Sequence, residues 1–529
     1  MIELPPPSAF GFPSAFSDWR DDQLTAVDLM LQAPTRFVAL NMPTGSGKSL
    51  CYTAAAVLSS ERTVILTSNK GLQDQLSMDF STIGLRDVRG QQSYPCLAVQ
   101  PGGTLEDFAG PSPQTVTCTE GPCHAGVTCE LKSGGCLYYD AYRKALSAPL
   151  VVTNYAFWLA QWRYGEGMGK VGRLVLDEAH EAPEELAAAL QVTIPRAALM
   201  KAGVKQPDDN WDVTTFKDWG VYWAHKLRKQ IEGIGLPSLG PQVSHIRKLQ
   251  RLASSLEQLA LLTTDGNWLG NHTPLEVVFE VVNPNRYREH LFQNIGKVVL
   301  TSATLTPKTL SLLGVPGDQC TSWECPSRFP VERRPIWIIP TVQIDERTLT
   351  PEKQTIWVKR IDQIITPRRD RKGLVHTVSY KRRDAILARS EHGALMTTHT
   401  NAKGEAARVV AQFKKRQAPG VLISPSLMTG WDFPHETCRY QIVTKLPYPS
   451  PSPLLKARGE QDPRYIPYLV MQTLVQMVGR GMRSRDDWCE TFLIDDHVRW
   501  FIPKYRDMAP SWFWQAIRTS LVIPSPLTL

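Results

Sequence analysis

The stretch Asn41-Met42-Pro43-Thr44-Gly45-Ser46-Gly47-Lys48-Ser49 limits the fold more than any other part of the chain. Four apolar residues, Phe37 to Leu40, precede it and read as a short buried strand. The alanine-rich run from Leu50 to Leu58 follows and reads as a helix. Strand, glycine loop and helix in that order form a phosphate-binding loop. Gly45 and Gly47 allow a turn tight enough for several backbone N–H groups to face one anion. The helix start adds the positive end of its dipole. Around Thr44 and Ser46, Lys48 supplies a mobile positive charge for the β- and γ-phosphates of ATP, and Ser49 a hydroxyl for Mg²⁺. The usual pattern opens with a glycine where Met42 stands, so the match is to Gly-x-Gly-Lys-Ser. A glycine turn capping a helix is the plainer reading; strand, helix and Lys-Ser together favour the nucleotide.

The chain has 529 residues, room for several structural units of roughly 150 residues each. Its apolar fraction of 42% and charged fraction of 21% are those of an ordinary globular protein. A formal charge of +8 is compatible with nucleic acid and equally with a generic solvated surface. No apolar run reaches the ~18 residues of a membrane span, and the start lacks a signal-peptide pattern. A cytoplasmic protein with no membrane partner is expected. In that compartment clustered cysteines bind metal more often than they form disulfides. Of ten cysteines, half fall between Cys96 and Cys136. The others, Cys51, Cys320, Cys325, Cys438 and Cys489, read as isolated thiols.

Along the chain, apolar runs alternate with helical patterns, the mark of an α/β fold with mostly parallel sheets. A first unit is expected over residues 1–89, 138–189 and 276–325. Residues 90–137 interrupt it with Pro, Gly, Thr and cysteines and too little apolar periodicity for a core of their own, which predicts a metal-stapled insertion. Residues 190–275 interrupt it again with a helical pattern, Val243, Ile246, Leu249, Leu252, Leu256 and Leu259 recurring at steps of three and four. A Pro-rich passage near residue 325 leads to a second α/β unit, residues 326–529.

The strand Arg173 to Leu176 runs into Asp177-Glu178-Ala179-His180. Asp177 there can hold Mg²⁺ through water, Glu178 can orient or deprotonate the attacking water, and His180 can relay between sites. Gln23, ahead of the first strand, offers an amide that can read adenine. In the second unit, Gln476-Met477-Val478-Gly479-Arg480-Gly481-Met482-Arg483 puts two arginines three apart. On a helix they share one face and can present guanidinium groups to a γ-phosphate. Asp432, in Gly430-Trp431-Asp432-Phe433, can couple the two units around the nucleotide.

These motifs, with Thr301-Ser302-Ala303-Thr304, resemble in order and spacing the two-motor-domain helicases of superfamily two, and within them the DEAH-box XPD/DinG-like family. The resemblance covers residues from about 18 to 500. It implies two RecA-like P-loop domains with ATP and Mg²⁺ between them, an iron–sulfur insertion and a helical arch-like insertion in the first, and an ATP-dependent DNA helicase travelling 5′ to 3′ on single-stranded and forked DNA, in DNA repair. It also implies a [4Fe–4S] cluster on four cysteines, since thiolates suit such clusters. Cys96 and Cys136 resemble the first and last ligands; Cys123 and Cys129 are taken to complete the set, with Cys118 as a possible substitute. The spacing Cys118-x4-Cys123-x5-Cys129 also fits the family, and a structural Zn²⁺ site remains the alternative. Family members touch DNA at strand ends that here are Thr67, Ser68, Asn154, Tyr155, Ser379 and Thr429. The rival functions are an ATP-switched, zinc-stapled DNA-binding protein and a translocase that does not unwind.

Overall fold

A computed structural model describes residues 3–528, apart from 15, 69, 100–115, 166, 235–239, 345–349, 428–430, 483 and 485. Two seven-stranded sheets, parallel throughout, carry the fold. The first has the order Cys320–Glu324, Phe37–Asn41, Lys297–Ser302, Arg173–Asp177, Thr63–Thr67, Leu150–Asn154, Arg86–Asp87. Phe37–Asn41, Thr63–Thr67 and Arg173–Asp177 are buried at every position, because helices cover both faces. Alternation along the strand sorts them: Phe37 and Ala39 face one core, Val38 and Leu40 the other.

The strand Lys297–Ser302 lies between the strand that feeds the glycine loop and the strand that ends in Asp177. Asn41 sits beside Ser302, and Asp177 beside Thr301. Three chain segments distant in sequence thus end together at the carboxyl edge of the sheet, where open α/β sheets bind ligands.

Among the described residues of 90–137 the backbone runs in five short 3₁₀ turns, with an isolated antiparallel bridge between Pro95 and Thr117. Within 190–275 two long helices, Val213–Ile234 and Gly240–Glu257, pack together. Gly220 permits close approach there, since a Cβ would stand 2.7 Å from Leu259 Cδ1. The expected all-helical segment is corrected in part. It is bounded by a three-stranded antiparallel sheet of Val192–Pro195, Glu276–Val281 and Trp268–Gly270. The β-branched runs Val192-Thr193-Ile194 and Val277-Val278 account for these strands. No helix among the described residues is long and apolar enough to cross a membrane.

The second sheet has the order Met396–Thr397, Gly420–Ser424, Lys372–His376, Tyr440–Val443, Glu490–Asp495, Ile336–Val342, Ile517–Thr519. Arg368, fully buried, meets Glu490 with two bonds of 2.8 Å and lies over the Phe492 ring at 4.6 Å. It also donates to the Pro524 carbonyl at 3.0 Å, fastening the C-terminal tail to the sheet. Replacing Glu490 by Ala would strand a buried guanidinium and is expected to cost about 3–5 kcal/mol. Calorimetric unfolding should show the loss, and the double variant Arg368→Met, Glu490→Leu should recover most of it. Equal stability of Glu490→Ala and wild type would show the pair to be dispensable.

Candidate active site

A cleft of about 700 Å³ opens between the two units at the carboxyl edge of the first sheet. Thr44, Gly45, Gly47, Lys48, Ser49, Ser68, Asp177, Glu178 and His180 line it from the first unit. Asp432, Gln476 and Arg480 line it from the second.

Gly45 and Gly47 both take the left-handed conformation, with φ of 77° and 86°, and the helix Lys48–Leu58 starts at once. A Cβ on Gly47 would fall 2.3 Å from Gln23 Nε2, so Gln23 fits only because residue 47 is glycine. Gln23 is buried, accepts from the Arg20 N–H at 3.1 Å and donates to the Ser46 carbonyl at 3.0 Å. Its amide braces the loop.

Lys48 Nζ stands 3.5 Å from Glu178 Oε1. Burial works to raise the Glu178 carboxyl, but Lys48 and then His180 outweigh it and hold the group well below the carboxylate range. Burial first, and the Glu178 charge second, raise Asp177 to about 7. The neighbouring carboxyls are thus pushed apart, Glu178 toward its ionised form and Asp177 toward its protonated one. Glu178 sits at φ 49°, a strained left-handed turn that aims its side chain back over the glycine loop.

His180 is the junction. Its Nδ1 meets Ser302 Oγ at 2.7 Å and Glu178 at 3.3 Å; its Nε2 lies 3.6 Å from Glu181 and pairs with Gln476 of the second unit. Burial lowers its pKa, yet the bonds to Glu178 and Glu181 raise it to about 9. Ser302 Oγ also donates to Glu178 Oε2 at 3.3 Å. A second tie between the units lies farther along. Buried Arg458 donates to both Glu184 oxygens, at 2.7 and 3.0 Å, to the Tyr465 hydroxyl and to the carbonyls of Val281 and Val282. Tyr465 in turn donates to Glu184 at 2.6 Å. Tyr465 and Gln476 belong to one helix, Tyr465–Val478.

That helix ends before the arginines, which corrects the expected shared helical face. Gly479 and Gly481 bracket a 3₁₀ turn, Gly479–Gly481, and Arg480 projects from it. Its guanidinium donates to the Trp431 carbonyl and lies 4.0 Å from Asp432. Arg483 falls outside the described residues, as does Thr429.

The predicted nucleic-acid set divides. Tyr155 is fully buried and its hydroxyl donates to the Asp177 carbonyl at 3.0 Å, so the ring cannot stack on a base. Thr67 is fully buried against Thr153. Thr67 ends a strand covered on each face, and Tyr155 opens the helix Tyr155–Tyr164 with its ring packed inward. Asn154 caps the helix Tyr155–Tyr164 and lines a groove of about 880 Å³ with Tyr139, Tyr142, Lys70, Lys132 and Arg143. Ser379 caps Tyr380–Leu387. Ser68 opens into the nucleotide cleft and bonds Glu181.

All five clustered cysteines line one cavity. Gly121 faces it: a Cβ there would lie 3.2 Å from Cys96 Sγ and 3.6 Å from Cys123 Sγ. Cys118, expected as the substitute, sits within hydrogen-bond reach of Cys96 and Cys136. Its hydrogen bond draws the Cys96 thiol down to about 7, toward thiolate. Thiolates are the soft donors that suit a metal group, and a side chain at residue 121 would crowd two of them. Among the described residues, no group of three or more His, Cys, Asp and Glu is placed to hold a metal ion.

Tyr52 is a site residue that sequence reading missed. It is fully buried, one helical turn after Lys48, and its hydroxyl donates to Asp177 Oδ2 at 3.2 Å. The spacing of four from Lys48 was the available signal. Tyr52→Phe is expected to weaken Mg²⁺–nucleotide binding by about 0.5–1.5 kcal/mol in a calorimetric titration, with unfolding temperature unchanged. Unaltered affinity would mean that Asp177 is held by its other neighbours alone.

Residues 363–516 match the model of a helicase C-terminal domain. The chain is 24% identical to the ATP-dependent DNA helicase YoaA of Escherichia coli strain K12 over 554 aligned positions, covering 84% of this chain and 86% of that one. Its fold is similar to a solved XPD helicase, with a TM-score of 0.62 at 15% identity, covering 95% of this chain and all of that one. It is similar also to S. tokodaii Xpd4, with a TM-score of 0.58 at 13% identity and the same coverage. The glycine loop, the acidic strand end and Arg480 are gathered on one cleft, and the chain, with a stretch that matches a helicase C-terminal domain, is similar over most of its length to the XPD/DinG-like helicases of superfamily two.

Proposed function

We propose that this chain hydrolyses ATP to move 5′ to 3′ along single-stranded DNA and to part a duplex ahead of it. The observation that carries the reading is the single cleft that gathers Lys48, Asp177, Glu178 and Arg480 from both units. Lys48 is occupied by Glu178 before nucleotide arrives. Phosphate oxygens compete for the ammonium, and Glu178 is released to align a water on the γ-phosphorus. The water oxygen bonds to phosphorus as the bond to the β-bridging oxygen breaks; Glu178 accepts the water proton. Arg480 exchanges the Trp431 carbonyl for the developing charge on the transferred group. Ser49 and Asp177 are the residues that would hold Mg²⁺, which neutralises charge between the β- and γ-phosphates. The His180–Gln476 contact lets the second unit sense the state of Glu178.

The groove beside Asn154, aromatic and basic together, supports a single-strand track: rings stack bases and cations follow phosphates. Four of the five clustered cysteines would hold a [4Fe–4S] group, whose role is to staple an insertion with too little core of its own. Cys118 stands on equal footing with Cys123 and Cys129, because it touches Cys96 and Cys136 directly. The rival reading, an ATP switch on a zinc-stapled binding protein, predicts slow turnover that single-stranded DNA does not accelerate.

Lys48→Ala should abolish hydrolysis, and Glu178→Gln should bind ATP but turn over poorly. Arg480→Ala should lower turnover by ~10³ or more with little change in DNA affinity. Near-normal DNA-stimulated hydrolysis in Lys48→Ala or Glu178→Gln would overturn the assignment of roles.

Strand separation is tested with duplexes carrying a 5′ or a 3′ overhang. Wild type should open the first only, and preference for the second would reverse the polarity. Cys→Ser at each of the five positions, with iron and zinc measured in anaerobically purified protein, should deplete iron in four variants and spare one. Depleted variants should keep partial ATP hydrolysis and lose unwinding. Zinc in place of iron would favour the rival.

A further inference from the structure

We propose that the amino-terminal edge of the first sheet carries a second pocket, built on Arg36, Arg173 and Lys297, for a small phosphate-bearing molecule. The pocket measures about 800 Å³. Its cations open three neighbouring strands: Arg36 stands just before Phe37–Asn41, Arg173 begins Arg173–Asp177, and Lys297 begins Lys297–Ser302. The nucleotide cleft lies at the other end of the same strands, about 17 Å away at ~3.3 Å per residue. The two sites share no lining residue.

Three features make this pocket a receptor for an anion. First, cations outnumber acids. Arg36, Arg173 and Lys297 line it against one carboxylate, Glu61, which lies 3.5 Å from Arg173 and is half exposed. Second, the cations are held in place before any ligand arrives. Arg36 Nε donates to the Ile295 carbonyl at 3.1 Å, Arg173 Nη1 to Met30 at 2.7 Å, and Lys297 to Ala33 and, at 2.7 Å, Thr35. Little side-chain entropy is left to lose on binding. Third, Arg173 is only 4% exposed, yet its Nε has no partner. That nitrogen is closed to solvent, so the guanidinium acts on an anion in the pocket through its charge, which burial leaves little screened. In keeping with this, Lys297 is pushed below the usual lysine range by burial and then by the Arg173 charge.

The volume exceeds that of a bare phosphate, and Leu31, Pro34 and Leu58 add an apolar wall. A phosphomonoester with a compact organic body meets both. Planar guanidinium groups favour phosphate over a point-like anion.

The test uses the full chain carrying Lys48→Ala, which silences the glycine loop. Inorganic phosphate is titrated at constant ionic strength and followed by ³¹P line broadening. One saturable site is expected. Glu61→Gln, at a half-exposed position, should tighten it several-fold by removing the opposing charge, a gain that no merely structural role produces. Lys297→Gln should weaken it. Absence of saturable binding, or an affinity indifferent to Glu61→Gln, would overturn the proposal. Acetate binding as tightly as phosphate would overturn the phosphate assignment.

Discussion

A lysine ammonium 3.5 Å from a carboxylate, both largely out of water, is the interaction on which the rest of this structure depends. Charges so placed are costly unless each finds partners, and the fold is arranged to supply them. Glu178 is reached by Lys48, by His180 and by the Ser302 hydroxyl. Asp177, next in chain, is fixed by Tyr52 through its side chain and by Tyr155 through its carbonyl. Those five partners come from four separate stretches of sequence. They meet only because the strand Lys297–Ser302 is inserted between the strands that carry the glycine loop and the acidic pair.

Much of this was legible from sequence because its signals are local. Apolar runs of four to six residues gave the buried strands, and loop and acidic motifs sat at their ends, where parallel sheets leave them. What escaped was set by tertiary contact. Gln23 has an amide that can read a base, and a glycine 24 positions later leaves the gap in which that amide sits. Tyr155 has the place of a stacking ring just past a strand end, but it opens a helix whose packing turns the ring inward onto the Asp177 carbonyl. Arg480 and Arg483 matched a helical spacing, while the flanking glycines ended the helix at Val478. The strands around 192 and 276 were hidden because they pair with each other across some eighty residues.

The two insertions are not independent of one another. Arg247, on the helix Gly240–Glu257, donates to the Glu120 carbonyl in the cysteine-rich segment. Val243 and Ile246 pack with Val127. Arg247 also contributes to holding the Cys96 thiol toward its ionised form. Thiolates near a metal group carry excess negative charge, and a basic helix beside them offsets it. The helical insertion therefore packs against the cysteine-rich segment and adds its positive charge to the neighbourhood of Cys96.

The helix Tyr465–Val478 touches the first unit near both of its ends, through Tyr465 at Glu184 and through Gln476 at His180. The two contacts are eleven residues apart, about 16 Å at 1.5 Å per residue. One end is a multiply bonded, buried anchor; the other is a single hydrogen bond. Such a rod behaves as a lever with a fulcrum and a trigger. A rotation of about four degrees about Tyr465 moves the far end by roughly 1 Å, enough to break a bond whose strength falls steeply with distance. Small tilts between the units are thereby converted into a made-or-broken signal at the residue that touches Glu178.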